Sequence, residues 1–236
     1  MGKHIRYRNL LPVYLPVLVG FILFAIGGSR VVTVMSVNAP VVYKQTVVID
    51  AGHGGVDGGA TSCTGVLESN FNLEIALKLN DLMHLLGINT VMIRETDCSV
   101  YIEGESIAQK KVSDLKERVR IVNSTDNALL ISIHQNQFSD GRYKGAQVFY
   151  APTNDSKELA QALQTAFIHT INPDSHRQIK KADKIYLMQH INCPGILVEC
   201  GFISNPQEEY LLRDVDYQRK LCSVIACTVS SYLFST

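Results

Sequence analysis

Apolar residues fall along this chain in three arrangements: one unbroken run, several short β-branched bursts, and stripes that recur every three or four residues. The run is Leu10–Gly28, almost wholly apolar, inside the uncharged stretch Asn9–Ser29. About 20 apolar residues span a bilayer, whereas a secretory signal core is about 7–15. Pro12 and Pro16 would kink a soluble helix but are tolerated in a membrane helix. Lys3, Arg6 and Arg8 precede the run and Arg30 follows it, a bias that keeps the N-terminus in the cytoplasm. No clean A-x-A cleavage site follows, although Ala25–Ser29 is small enough to leave cleavage open. The expectation is an uncleaved signal anchor over residues 1–30, a linker over 31–44, and a folded domain over 45–236 outside the cytoplasm.

The bursts predict strands. Val47, Val48 and Ile49 run into Asp50, Ala51, Gly52 and His53, where glycines end the strand sharply. Thr90–Ile93, Ala128–Ile133, Gly145–Tyr150 and Gly195–Val198 are the others. The nearly continuous apolar character of Ala128–Ile133 marks a strand covered on both faces. The stripes predict helices. Glu68, Ser69 and Asn70 open one whose face is Ile75, Leu79, Leu82, Met83 and Leu86, stopped by Gly87. Asp114–Asn123 forms a second, with Leu115, Val119 and Val122. Asp155 and Glu158 suggest a D-x-x-E cap for a third, with Leu159, Leu163, Ala166 and Phe167. Asn205 and Pro206 start a short helix, and Asp216–Leu233 is the closing one. Arg94–Gln109 and Asn172–Asp183 read as polar loops; the second carries a basic cluster suited to an acidic substrate group. Ile185–Met188 reads as a short strand or a loop reaching the cleft. Strands alternating with helices indicate one α/β domain with a largely parallel sheet.

Composition changes this picture little. Of 236 residues, 46% are hydrophobic and 19% charged, enough for a core and against disorder. A formal net charge of zero gives no basic footprint for nucleic acid. The six cysteines are irregularly spaced and contain no C-x-x-C, which argues against a structural zinc knuckle. Their redox state stays open, and Cys222 and Cys227 read as small core residues.

Chemistry gathers where strands end. In an open α/β sheet, ligands bind beyond the carboxyl ends of the strands. His53, His134 and Glu199 each follow such a burst, and Glu68 sits where a helix begins. A single histidine there is more often a satisfied core residue, and a glutamate at a helix start answers to the macrodipole. Two strands ending on histidine favour shared chemistry. Two imidazoles and a carboxylate with one open position make a catalytic zinc site, and hydrolysis needs one carboxylate more. Asn136, Arg118 and Arg94 are weaker candidates for substrate contact, and Arg118 on a helix also fits a merely solvated charge.

Four blocks carry a resemblance: VVIDAGHGGVDGGA, LESNFNLEIALKL, ISIHQN followed by GAQVFY, and ILVECGFISN. From about Val47 onward the chain resembles the zinc-dependent N-acetylmuramoyl-L-alanine amidases of the amidase-3 family. The resemblance implies one Zn²⁺ per chain held by His53, Glu68 and His134, with Glu199 as catalytic carboxylate. It implies a single three-layer domain, a mixed, largely parallel six-stranded sheet flanked by helices. It also implies a peptidoglycan substrate, cut at the amide joining the lactyl group of muramic acid to L-alanine. An anchor joined to a bare catalytic domain is similar to the spore-cortex amidases of endospore-forming bacteria, which begin the route to muramic-δ-lactam. No self-inhibitory helix is evident between Tyr150 and Gly195, so control falls to a protein partner or to timing of expression. Two rival readings remain: a zinc peptidase that trims stem peptides, and a membrane-tethered protein that binds peptidoglycan without cutting it.

Overall fold

The computed structural model describes residues 44–235; the expected anchor and all but the last residue of the expected linker lie outside the described residues. Among the described residues, no helix is long and apolar enough to cross a membrane. The elements, in order, are β1 (Thr46–Ala51), α1 (Glu68–Leu85), β2 (Thr90–Met92), α2 (Ile107–Ser124), β3 (Ala128–Asn136), β4 (Gln147–Tyr150), α3 (Ser156–Thr170), β5 (Lys180–Lys181), α4 (Tyr186–His190), β6 (Gly195–Phe202), α5 (Pro206–Arg213) and α6 (Val215–Ser235). The six strands form one sheet in the order β2-β1-β3-β6-β4-β5. All neighbours are parallel except β4 and β6. This is the mixed, largely parallel sheet expected.

Alternation along the central strands divides the core. Val47, Ile49, Leu129, Ile131, Ile133, Val148, Ile196 and Val198 pack to one side with α1, α3 and α6. Val48, Leu130 and Leu197 pack to the other, under α2 and α4. Both faces are therefore covered, and the layers run helix, sheet, helix.

Five local expectations are corrected, the last being the core placement of Cys227. Helix α2 begins at Ile107, well before Asp114, because Ser106 and Gln109 form a complete capping box. Ile185–Met188 is neither strand nor loop, since Tyr186–His190 is a short helix. Two residues inside the polar loop Asn172–Asp183 pair with β4 as an exposed edge strand. Asp155 makes no side-chain cap; its backbone is left-handed, at φ 64°. All six cysteines are unpaired, and Cys227 is exposed whereas Cys222 is buried.

Candidate metal centre

The site is built on the carboxyl ends of β1, β3 and β6 and the first turn of α1. Beyond Ala51 the chain must turn without leaving the sheet edge. Gly52 makes this possible, because a Cβ there would lie 2.2 Å from Nε2 of His134. His53 then adopts a left-handed backbone, φ 61°, a conformation that a non-glycine residue holds only when its surroundings impose it. Arg118 imposes part of it by donating Nη2–H to the His53 carbonyl at 2.7 Å.

Three side chains converge. His53 Nε2 lies 3.3 Å from Glu68 Oε2, and His134 Nδ1 lies 3.0 Å from Glu68 Oε1. One donor atom from each of the three falls within 4.8 Å of the others, a grouping that could hold a metal ion. The two rings meet edge to face, with centroids 5.0 Å apart. Glu68 is 4% exposed and is fixed by three further donors: Ala60 N–H at 3.0 Å, Gln135 N–H at 3.2 Å and Asn72 Nδ2 at 3.3 Å. Gly59 gives room for this, since a Cβ there would lie 2.7 Å from both Glu68 Oε2 and the His53 ring.

A second ring of contacts orients the first. His53 Nδ1 bonds Asp57 Oδ2 at 2.9 Å, and Asp57 Oδ1 pairs with Lys111 Nζ at 2.7 Å. With one imidazole nitrogen tied to a carboxylate, the other is aimed at Glu68, the usual support of a metal-binding histidine. Burial alone would lower the pKa of His53; the bonds and charges of Glu68, then Asp57, outweigh it and lift it to about 9. For Glu68 burial pushes upward, but both imidazoles hold the carboxyl far below the usual range. Glu68 is thus held as a carboxylate between the two imidazoles.

Glu199 stands directly across from His134 in the β3–β6 register. It is half-buried, yet its Oε2 is shut from solvent without a hydrogen-bond partner among the described residues. Burial, then the neighbouring charge of Glu68, raises its pKa to about 7 against the pull of the two histidines. A cavity of about 180 Å³ opens on this face, lined by Gly52, His53, Asp57, Lys111, Arg118 and His134 among others.

The remaining candidates are placed differently. Asn136 ends β3, half-buried, with Phe202 as its register partner. Arg94 and Arg118 are each 3% exposed. Arg94 donates to the carbonyls of Ala51, Gly52, Ser69 and Thr96. Arg118 pairs with Asp50 and, at 2.5 Å, with Asp114, and donates to the Ala51 and His53 carbonyls. These contacts correct two expectations. Arg118 is not a solvated charge, and both arginines turn their donors inward to brace the histidine loop. Sequence reasoning gave no role to Asp57, Lys111 or Asn72. The one local signal was spacing: Asp57 lies four residues after His53, and Asn72 lies one helical turn beyond Glu68.

A family model described as N-acetylmuramoyl-L-alanine amidase matches residues 47–231. The germination-specific N-acetylmuramoyl-L-alanine amidase of Bacillus subtilis is 36% identical over 183 residues, 77% of this chain and 76% of that protein. Among solved structures, the CwlD amidase from Clostridioides difficile, in complex with the GerS lipoprotein, superimposes with a TM-score of 0.78 at 37% identity, covering 82% of this chain and 100% of that one. The N-acetylmuramoyl-L-alanine amidase AmiC2 of Nostoc punctiforme gives a TM-score of 0.69 at 28% identity, covering 82% and 99%.

Proposed function

This chain belongs to the N-acetylmuramoyl-L-alanine amidase family, and on that premise we propose that it hydrolyses the amide between the lactyl group of N-acetylmuramic acid and the L-alanine of peptidoglycan stem peptides. His53, Glu68 and His134 hold one zinc ion. Two imidazoles and a carboxylate, with a fourth position free, are the donor set of catalytic zinc. When bound, zinc supplies the positive charge that polarises a carbonyl and eases the ionisation of water.

The chain's own groups account for the rest. Glu199 accepts the proton of the attacking water and returns it to the departing alanine nitrogen. A pKa near 7 suits a group that must both take and give a proton at neutral pH. The observation that carries this reading is the unmatched Glu199 Oε2 beside the converged triad. A buried oxygen without a partner costs about 1–3 kcal/mol, and such groups persist where a function uses them. Gly52 and Gly59 leave room for the His134 ring and the Glu68 carboxylate, and Asp57 and Lys111 aim His53. Asn136 contacts substrate from the end of β3.

The setting follows in the same terms. Residues 1–30 anchor the protein, residues 31–44 link, and the catalytic domain, 45–236, works outside the cytoplasm. The substrate is spore-cortex peptidoglycan and the reaction is the first step toward muramic-δ-lactam, a reading supported by the germination-specific relative. A protein partner regulates the enzyme, as suggested by a structural relative solved with a lipoprotein. The test is to digest defined cortex and vegetative muropeptides with the zinc-loaded protein and weigh the products. Intact stem peptide and a freed lactyl carboxylate are expected. Trimmed stem peptides, or binding without cleavage, would overturn the proposal.

A further inference from the structure

The basic loop Asn172–Asp183 is not used by the reaction as described so far. It delivers Arg177 to the catalytic face. Glu199, Gln147 and Phe202 share that face, because Gln147 is the register partner of Glu199 on β4, and Phe202 and Glu199 pair with Asn136 and His134, two residues apart on β3. Arg177 rests on this group. Its Cζ lies 4.5 Å above the Phe202 ring centroid. Its Nη1 donates to Gln147 Oε1 at 3.1 Å, and its Nε donates to the Lys144 carbonyl at 2.7 Å.

Every one of these supports is neutral. The nearby carboxylate, Glu208, spends one oxygen on Gly145 N–H and the other on Phe202 N–H. Among the described residues Arg177 forms no ion pair, and its Nη2 has no hydrogen-bond partner. Glu208 lends the guanidinium a negative neighbour but no hydrogen bond, because both of its oxygens are engaged by backbone N–H groups, so the free Nη2 edge of a guanidinium held on three sides is a preorganised site for a planar anion. The other arginines of this face do not qualify, since Arg94 and Arg118 have their donors occupied.

We propose that Arg177 is a specificity-determining residue that binds the carboxylate carried by the residue following L-alanine in the stem peptide. This inference rests on the amidase reading above. One peptide unit is about 3.8 Å between Cα atoms, so that carboxylate lies about 7 Å from the scissile amide. Same-face positions along a strand are separated by a similar distance, about 7 Å; Glu199 and Phe202 are three residues apart on β6, but a register irregularity sets them opposite His134 and Asn136, one such step apart on β3. Phe202 and Gln147 fix the guanidinium before substrate arrives, so little side-chain entropy is lost on binding.

The test compares two N-acetylmuramoyl tripeptides in which the D-glutamate after L-alanine is joined to the third residue through its side-chain carboxyl, one with the α-carboxyl of that glutamate free and the other with it as the neutral amide. Zinc-loaded wild type should favour the acid by about 10-fold or more in kcat/KM, expressed mainly in KM. Arg177→Gln should bring that ratio to about one, and Arg177→Lys, which keeps the charge without the fork, should restore part of it. Binding of the released tripeptide with the free α-carboxyl, followed by calorimetry, should weaken in the same order. Wild type that cleaves both substrates equally, or an Arg177→Gln variant that keeps the preference, overturns the inference and leaves the amidase intact. Wild type that cleaves neither overturns both.

Discussion

Two charged clusters sit at the top of β1 and β3, two residues apart along β3 at Ser132 and His134, and they are built on opposite principles. In the lower one, Asp50 is gripped by Arg118 and by the Ser132 hydroxyl at 2.6 Å, while Asp114 closes the other side of the guanidinium. There one guanidinium serves both carboxylates, and each of the three groups has its partner inside the fold. In the upper one, Glu68 and Glu199 face two histidines, and a carboxylate oxygen of Glu199 remains unmatched. The matched cluster needs nothing from outside and acts as a brace. The mismatched one leaves a buried acceptor open beside a grouping that could hold a metal ion. Burial alone does not separate them, because Asp50 and Glu68 are both nearly inaccessible. Only the accounting of donors and acceptors does.

The largest effect should come from removing a donor of the upper cluster. His134→Ala should lose stoichiometric zinc and turnover together, the latter by about 10³-fold or more, because the polarising charge goes with the metal. Metal analysis alongside muropeptide assays checks this, and full zinc occupancy in the variant would remove His134 from the ligand set. Breaking the lower cluster should instead cost stability. Arg118→Met leaves Asp50 charged, buried and unpaired, a loss of about 3–5 kcal/mol, read by chemical unfolding. The sign with pH is a sharper discriminant. In the wild type, burial would raise the Asp50 pKa, but Arg118 first and then His134 hold it below the usual carboxylate value. A depressed native pKa gives stability that is present above the unfolded value and lost as pH falls through the native one. Without Arg118, burial dominates and the sign reverses, so the variant should gain stability relative to wild type as acid neutralises Asp50. Parallel pH curves for the two proteins would show that the pair is not what holds this region.

The next effect separates chemistry from metal binding within the upper cluster. Glu199→Gln keeps the shape and should keep the zinc, yet turnover should fall about 10²-fold or more if the carboxylate moves the proton. Near-normal rates on defined muropeptides would end that assignment.

Much of this contrast was legible in the sequence, and its limits have physical causes. His53, His134 and Glu199 stood out because each terminates an apolar burst, and a parallel sheet brings such ends to one edge. Glu68 was ambiguous for a good reason: it is at once the first residue of α1 and the carboxylate between two imidazoles, so one position in the sequence fits a helix-start charge and a ligand alike. The roles of Arg94 and Arg118 were not legible, because Arg118 with Asp114 four residues before it reads as a surface pair until its distant partners Asp50, Ala51 and His53, 65 to 68 residues away, are known. Lys180–Lys181 is an exposed two-residue edge and leaves no alternation to detect. The helix Tyr186–His190 is too short to show a period. The early start of α2 was readable in principle, from Ser106 and Gln109 at capping-box spacing.

The smallest effect probes the seam between the clusters, where Asp57 ties His53 to Lys111. Asp57→Asn keeps an acceptor for His53 Nδ1 but removes the charge that favours this tautomer and its orientation. Loss of such a support typically lowers metal affinity by about 10–100-fold. Folding stability should change by no more than about 1 kcal/mol, because the Lys111 partner is exposed. Zinc competition against a chelator, read beside an unfolding curve, measures both. If affinity held while stability collapsed, Asp57 would belong with Asp50 among the braces, and the boundary between the two clusters would have to be redrawn one residue shell closer to the metal.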